Sequence, residues 1–294
     1  MNKPVLYLKS IIITLLWTGA LTASNKPIQK QTVFIVVHGT WANHCSWYQP
    51  EGDFFLALEQ SAAHIGARLV SFCWDSKNTH EARLRAARQL EKLIMSYGPG
   101  TNINVVSHSH GANVANLASQ LLARHSDRHI HVKAFYHLGV PVCLDQYLPN
   151  MDVVEHVYNF FSYNDFVQPV LGLFKREYPQ HDRIANIRIT INGVQPAHSL
   201  IHDPEIAHWI PLIHEGLATK GVHGFDSFQF GVPGLMHFCS DQHVCYTVDV
   251  RRSELCHKDR YKIGATRALF VRCVVPKLFP ELLIPAISYK KLPA

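Results

Sequence analysis

Long blocks of one charge sign are missing from this sequence, and so are the short signatures of nucleotide and zinc chemistry. No long Lys/Arg block concentrates the formal net charge of +6, which leaves nucleic-acid binding without its usual basic footprint. Neither GxGxxG nor GxxxxGK followed by Ser or Thr occurs, so nucleotide chemistry has no anchor. None of the seven cysteines forms a CxxC pair, and nothing suggests a zinc site. Charged residues are few, 17% against 47% hydrophobic, which excludes a disordered chain. A chain of 294 residues with that balance can bury one large core and still carry a modest appendage.

What is present begins with an address. Residues 1–9 hold Lys3 and Lys9 and no acid, residues 10–21 (SIIITLLWTGAL) are a short apolar run, and small residues follow at Ala20, Ala23 and Ser24. Basic, then apolar, then small is the order of a secretory signal peptide, here residues 1–23. The run is too short for a comfortable transmembrane span, which makes an uncleaved anchor the lesser alternative. Export to the periplasm, the cell envelope or the medium would make cysteine pairing relevant. Cys45, Cys73 and Cys143 are scattered, whereas Cys239, Cys245, Cys256 and Cys273 crowd the last quarter. Cys239 with Cys245 is the preferred local pair, and reduced core cysteines are the alternative.

Strand and helix patterns alternate along residues 24–219. Residues 31–38 (QTVFIVVH), 67–74 (ARLVSFCW), 102–106, 131–137, 153–161 and 183–191 read as strands. Helices are expected at about 51–65, 80–97, 111–124 and 204–217. In the second, Leu84, Ala87, Leu90 and Leu93 or Ile94 point inward, and Arg83, Arg85 and Arg88 lie mostly on solvated faces. This alternation predicts an α/β fold of three layers, a mostly parallel sheet flanked by helices. Residues 220–294 break the pattern. They form a C-terminal extension, expected to be β-rich and disulfide-bonded, with strands at 245–250 and 268–275. A partner-binding module or a membrane-resting surface are further options, the second weakened by the lack of a long basic amphipathic helix.

One stretch carries chemistry. Ser107-His108-Ser109-His110-Gly111 falls between a strand and a helix, which is where a nucleophile elbow stands. There a strained turn lifts the central serine above the sheet, and its flanks must be small because strand and helix backbones approach closely. Ser109 is the central residue, Gly111 fills the last small position and Ser107 the first, where glycine is more usual. Two alternatives are a metal-binding His-x-His pair and histidines satisfied on an ordinary turn. The metal reading lacks an Asp-His continuation, because Gly111-Ala112-Asn113 follows.

Here the chain resembles the α/β-hydrolase superfamily, whose esterases and lipases are serine hydrolases. His38-Gly39-Thr40-Trp41 supports the resemblance, because it follows the first strong strand where such hydrolases keep an oxyanion loop. The resemblance implies oxyanion donors at the backbone N–H groups of Thr40 and His110. It also implies the chain order Ser, acid, His. Asp165, after the strand at 153–161, is the matching acid, whereas Asp145 and Asp152 precede that strand. Of two histidines after the strand at 183–191, His198 is the preferred base, and His202 is expected to pack beside the helix cap at Asp203.

The implied reaction is acyl-ester hydrolysis through an acyl-enzyme, with no metal and no cofactor. Trp41 and Phe166 are candidate residues of an acyl pocket, which favours a small-molecule or lipid acyl ester over a charged substrate. A reading of another class keeps the scaffold and loses the chemistry: an exported binding protein that engages a partner through residues 220–294.

Overall fold

Alternate residues of the first strand face opposite ways, and that sets where two hydrophobic layers lie. The computed structural model describes residues 31–125, 131–167, 175–220, 236–241 and 245–250. Strand β1 (Thr32–Val37) sends Phe34 and Val36 into one core and Val33, Ile35 and Val37 into the other. A strand buried on both sides belongs in the middle of a covered parallel sheet.

It lies between β2 (Ala67–Phe72) and β3 (Asn102–His108), Thr32 being in register with Ala67 on one side and Asn102 on the other. The sheet continues in parallel through β4 (Val132–Leu138), β5 (Val154–Phe161) and β6 (Ile184–Ile191). Helices α1 (Asp53–Ala63) and α4 (Pro204–Lys220) cover the face that carries Phe34, through Phe54, Leu58, Trp209 and Ile213. Helices α2 (His80–Met95) and α3 (His110–Leu122) cover the other, through Leu90, Ile94, Val114 and Leu117. The result is a three-layer α/β fold, as the alternation predicts.

Strands β7 (Met236–Asp241) and β8 (Cys245–Val250) fall in the segment read as an extension, and they join this same sheet. β8 runs parallel to β6, Asn186 in register with Cys245, and β7 pairs antiparallel with β8 on the outside. The full order is β2-β1-β3-β4-β5-β6-β8-β7. In this register Cys239 faces Thr247 and Cys245 faces Asp241, so the expected Cys239–Cys245 pair is diagonal. Diagonal positions lie about 7–8 Å apart, beyond the roughly 4.4–6.8 Å between Cα atoms that a disulfide spans. Cys45, Cys73 and Cys143 are free thiols. The leader at 1–23, Cys256, Cys273 and the strand expected at 268–275 lie outside the described residues. Among the described residues no helix is long and apolar enough to cross a membrane.

One expectation for α2 needs correcting. Arg85 does lie outside, paired with Asp75 at 2.9 Å, but Arg83 is buried. Its Nε donates to the Tyr147 hydroxyl at 3.1 Å and its guanidinium lies over the same ring. A long loop between β4 and β5 brings Tyr147 to the helix, a tertiary contact that helical periodicity does not contain.

Candidate active site

The strongest local signal in the chain, Ser107 to Gly111, sits on the turn from β3 into α3. Ser109 has φ 53° and ψ −132°, a conformation that costs a serine on the order of 1–3 kcal/mol and is kept only where the surroundings enforce it. Its N–H donates to the Leu138 carbonyl at 2.9 Å, and its own carbonyl accepts from Ala112 at 3.0 Å. The close approach that the turn demands is visible at two glycines. A Cβ on Gly111 would lie 2.5 Å from the His38 carbonyl oxygen, and one on Gly39 would lie 2.9 Å from the Ser109 Cβ. The loop after β1 therefore lies directly against Ser109.

That loop is held by His38. Its Nε2 accepts from the Trp74 backbone N–H at 3.1 Å, which leaves Nδ1–H to donate to the Gly39 carbonyl at 2.9 Å. The Trp74 indole donates to the His38 carbonyl at 2.8 Å. Burial lowers the pKa of His38, and the neutral ring with one donor and one acceptor is what this turn uses. Trp41 N–H is committed to the Ser76 carbonyl at 2.9 Å, and Trp41 itself has φ 58° with its side chain half exposed. The Thr40 Oγ1 is buried and meets no hydrogen-bond partner among the described residues.

The histidines around Ser109 diverge. His108 turns to the far loop, its ring 4.7 Å from that of His198, while His110 Nδ1 accepts from Asn113 at 3.0 Å. Burial depresses His108 well below its ordinary value and brings His110 to about 3. The two do not share a ligand position, and among the described residues no cluster of His, Cys, Asp and Glu is placed to hold a metal.

Asp165 and His198 meet. Asp165 lies in the loop after β5 and is wholly buried. Its Oδ2 is 2.6 Å from His198 Nδ1, and its Oδ1 accepts from Val167 N–H at 3.0 Å. Arg176 secures the loop by donating to the Asp165 carbonyl at 2.8 Å. His198 opens a single 3-10 turn, His198–Leu200, and keeps 15% of its side chain exposed. His202 goes elsewhere: its ring stacks on Trp47 at 4.4 Å and 9°, and burial brings it to about 4. Asp203 caps α4, accepting from Glu205 N–H at 3.0 Å. Asp145 and Asp152 are exposed on the connection between β4 and β5. Phe166 is exposed beside Asp165.

Three participants were not legible in the sequence. Gly139, φ 64°, follows β4, and a Cβ there would lie 3.3 Å from both Asp165 Oδ2 and His198 Nδ1; a glycine directly after a strand was the available signal. His137 and Asn116 form a buried chain under the elbow. His137 Nδ1 is 2.7 Å from Ser107 Oγ, and His137 Nε2 is 3.0 Å from Asn116 Oδ1.

A mostly parallel sheet between helices, with a strained serine on the β3–α3 turn, a loop against it after β1, and an acid and a histidine after β5 and β6, is the arrangement of the α/β-hydrolase fold. In the comparison with protein families, the model of class 3 lipases matches residues 34–174. Solved structures give more distant likenesses. A hydrolase of the α/β superfamily from Xanthomonas campestris pv. campestris is 13% identical over 65% of this chain and 99% of its own, with a TM-score of 0.42. Lipase B of Aspergillus fumigatus is 15% identical over 62% of this chain and 51% of its own, TM-score 0.40. Est1E from Butyrivibrio proteoclasticus is 13% identical over 64% of this chain and 90% of its own, TM-score 0.36. No curated protein matches the chain.

Proposed function

We propose that the protein is an exported serine hydrolase that cleaves an acyl ester through Ser109, His198 and Asp165. The observation that carries this reading is the 2.6 Å contact between His198 Nδ1 and the buried Asp165, on a loop that also touches the residue before the strained Ser109. A carboxylate at Nδ1 holds that proton, fixes the tautomer and leaves Nε2 to take the serine proton. Ser109 Oγ then attacks the acyl carbon. The imidazolium, stabilised by Asp165, returns its proton to the leaving alcohol, and water repeats the sequence to release the acid.

The oxyanion formed at each step needs donors placed in advance. The N–H of His110 follows the nucleophile. On the facing loop Trp41 N–H is already used, so Thr40 N–H is the second donor. Trp41 and Phe166, exposed on the two loops that flank the serine, offer apolar surface to an acyl chain, which favours a hydrophobic ester, a lipid included.

Intact mass after treatment with a fluorophosphonate tests the reading without the natural substrate. One adduct on the folded protein, absent from Ser109→Ala and from denatured protein, is the expected result. No adduct on folded protein would overturn it in favour of a binding protein on the same scaffold. The amino-terminal residue of the mature protein tests export, with cleavage expected after Ala23 or Ser24.

A further inference from the structure

The mechanism above uses Ser109 and His110 and gives no task to His108, the buried residue between the sheet and the nucleophile. Its Nε2 lies 3.0 Å from the His198 carbonyl oxygen. A carbonyl can only accept, so His108 Nε2 carries the proton and donates. The ring is enclosed on the other sides: perpendicular to His202 at 4.8 Å, edge-on to Trp47 at 5.6 Å, and tilted against His198 at 4.7 Å. In the orientation these contacts hold, it points its donor at the backbone of the base.

Among the described residues, His198 has few bonds that fix its main chain. It begins a three-residue 3-10 turn in which Leu200 N–H reaches the Ala197 carbonyl at 2.8 Å, while Ile201 N–H approaches the His198 carbonyl at only 3.4 Å. Among the described residues, the shorter of the two bonds to the carbonyl of the base comes from the residue adjoining the serine. We infer that His108 is a positioning residue, which ties the backbone of His198 to the nucleophile strand and so sets the approach of the imidazole to Ser109. This rests on the hydrolase reading, and it adds a fourth side chain to that machinery. Asp165 fixes the rotation and tautomer of the imidazole, and His108 fixes where its main chain stands.

A donor at this place is separable from a ring. His108→Phe keeps the aromatic contacts and loses the hydrogen bond, whereas His108→Gln presents an amide N–H in its place. Misplacement of a reacting group by about 1 Å can cost on the order of 100-fold in rate. The Phe variant is therefore expected to lose about 10- to 100-fold in kcat on p-nitrophenyl butyrate with KM nearly unchanged, and to react with a fluorophosphonate correspondingly slowly. The Gln variant is expected to recover most of both rates, and thermal midpoints serve to establish that each variant is folded. If Phe prevents folding, His108→Leu takes its place. The low-field NMR signal of the His198 Nδ1 proton gives a readout that needs no turnover. It is expected in the wild type and Gln variant, and to broaden by faster exchange in the donor-less one. Wild-type rates together with an unchanged signal in the donor-less variant would overturn the inference. Wild-type protein that never labels, but whose signal still depends on the donor, would overturn the hydrolase reading and leave the positioning role standing.

Discussion

Ser107 stands where an elbow more often has glycine, and the structure gives the serine a partner of its own. Asn116 Nδ2 donates to the Tyr147 carbonyl and meets the Tyr178 hydroxyl, each at 2.8 Å, so its Oδ1 is the acceptor for His137 Nε2–H. That leaves His137 Nδ1 to accept from the Ser107 hydroxyl at 2.7 Å. The chain joins β3 to α3 through β4, across both arms of the turn. Ser107→Ala strands the His137 nitrogen in the core, and a buried acceptor without its donor costs about 1–3 kcal/mol. Urea unfolding at neutral pH is expected to show a loss in that range. At the scale of single residues chain order singles out Ser109, Asp165 and a histidine in the segment after β6, and the structure brings Asp165 and His198 together. The sequence prefers His198 to His202 by position alone, whereas in the fold Asp165 bonded to the one and Trp47 stacked on the other distinguish them. Both partners are remote along the chain.

Elements were more legible than contacts. The first six strands and four helices fall within a few residues of where periodicity puts them, because a strand buried on both faces reads as a continuous apolar run and a covering helix as a stripe. β7, with the mixed sequence MHFCSD, has neither pattern; pairing on the outside of β8 defines it. The spacing of the elbow has a sharper consequence. At Gly111 any side chain meets main chain, the carbonyl oxygens of His38 at 2.5 Å and Val37 at 2.8 Å, and neither can yield without moving β1. Gly111→Ala is expected to displace α3 from the sheet and abolish fluorophosphonate labelling, with a lowered thermal midpoint. A wild-type midpoint with full labelling would show that the two elements are not held this closely.

For the molecule as a whole, the unusual quantity is buried histidine. Burial brings His110 and His137 to about 3 and His202 to about 4, all below the value near 6.5 of an unfolded chain. The unfolded state therefore binds more protons throughout this interval, and stability falls as pH decreases. The loss begins near pH 6.5 and levels off near pH 3, once the folded protein is protonated too. Each unit of difference is worth about 1.4 kcal/mol per group, so several groups together make the acid side steep. Urea midpoints at pH 7, 5.5 and 4.5 are expected to fall in that order, and His137→Gln is expected to flatten the slope even where it lowers stability at pH 7. An unchanged slope would remove His137 from the account.

The place of β8 bears on how such a chain leaves the ribosome. Every group assigned to the chemistry, from Thr40 to His198, has been synthesised before Cys245 appears, yet β6 still presents an open row of main-chain donors and acceptors. Unpaired edges of that kind invite other chains. For the time needed to make the residues between β6 and β8, the nascent chain holds a nearly complete sheet with one raw seam, and that interval is when a chaperone would have most to cover.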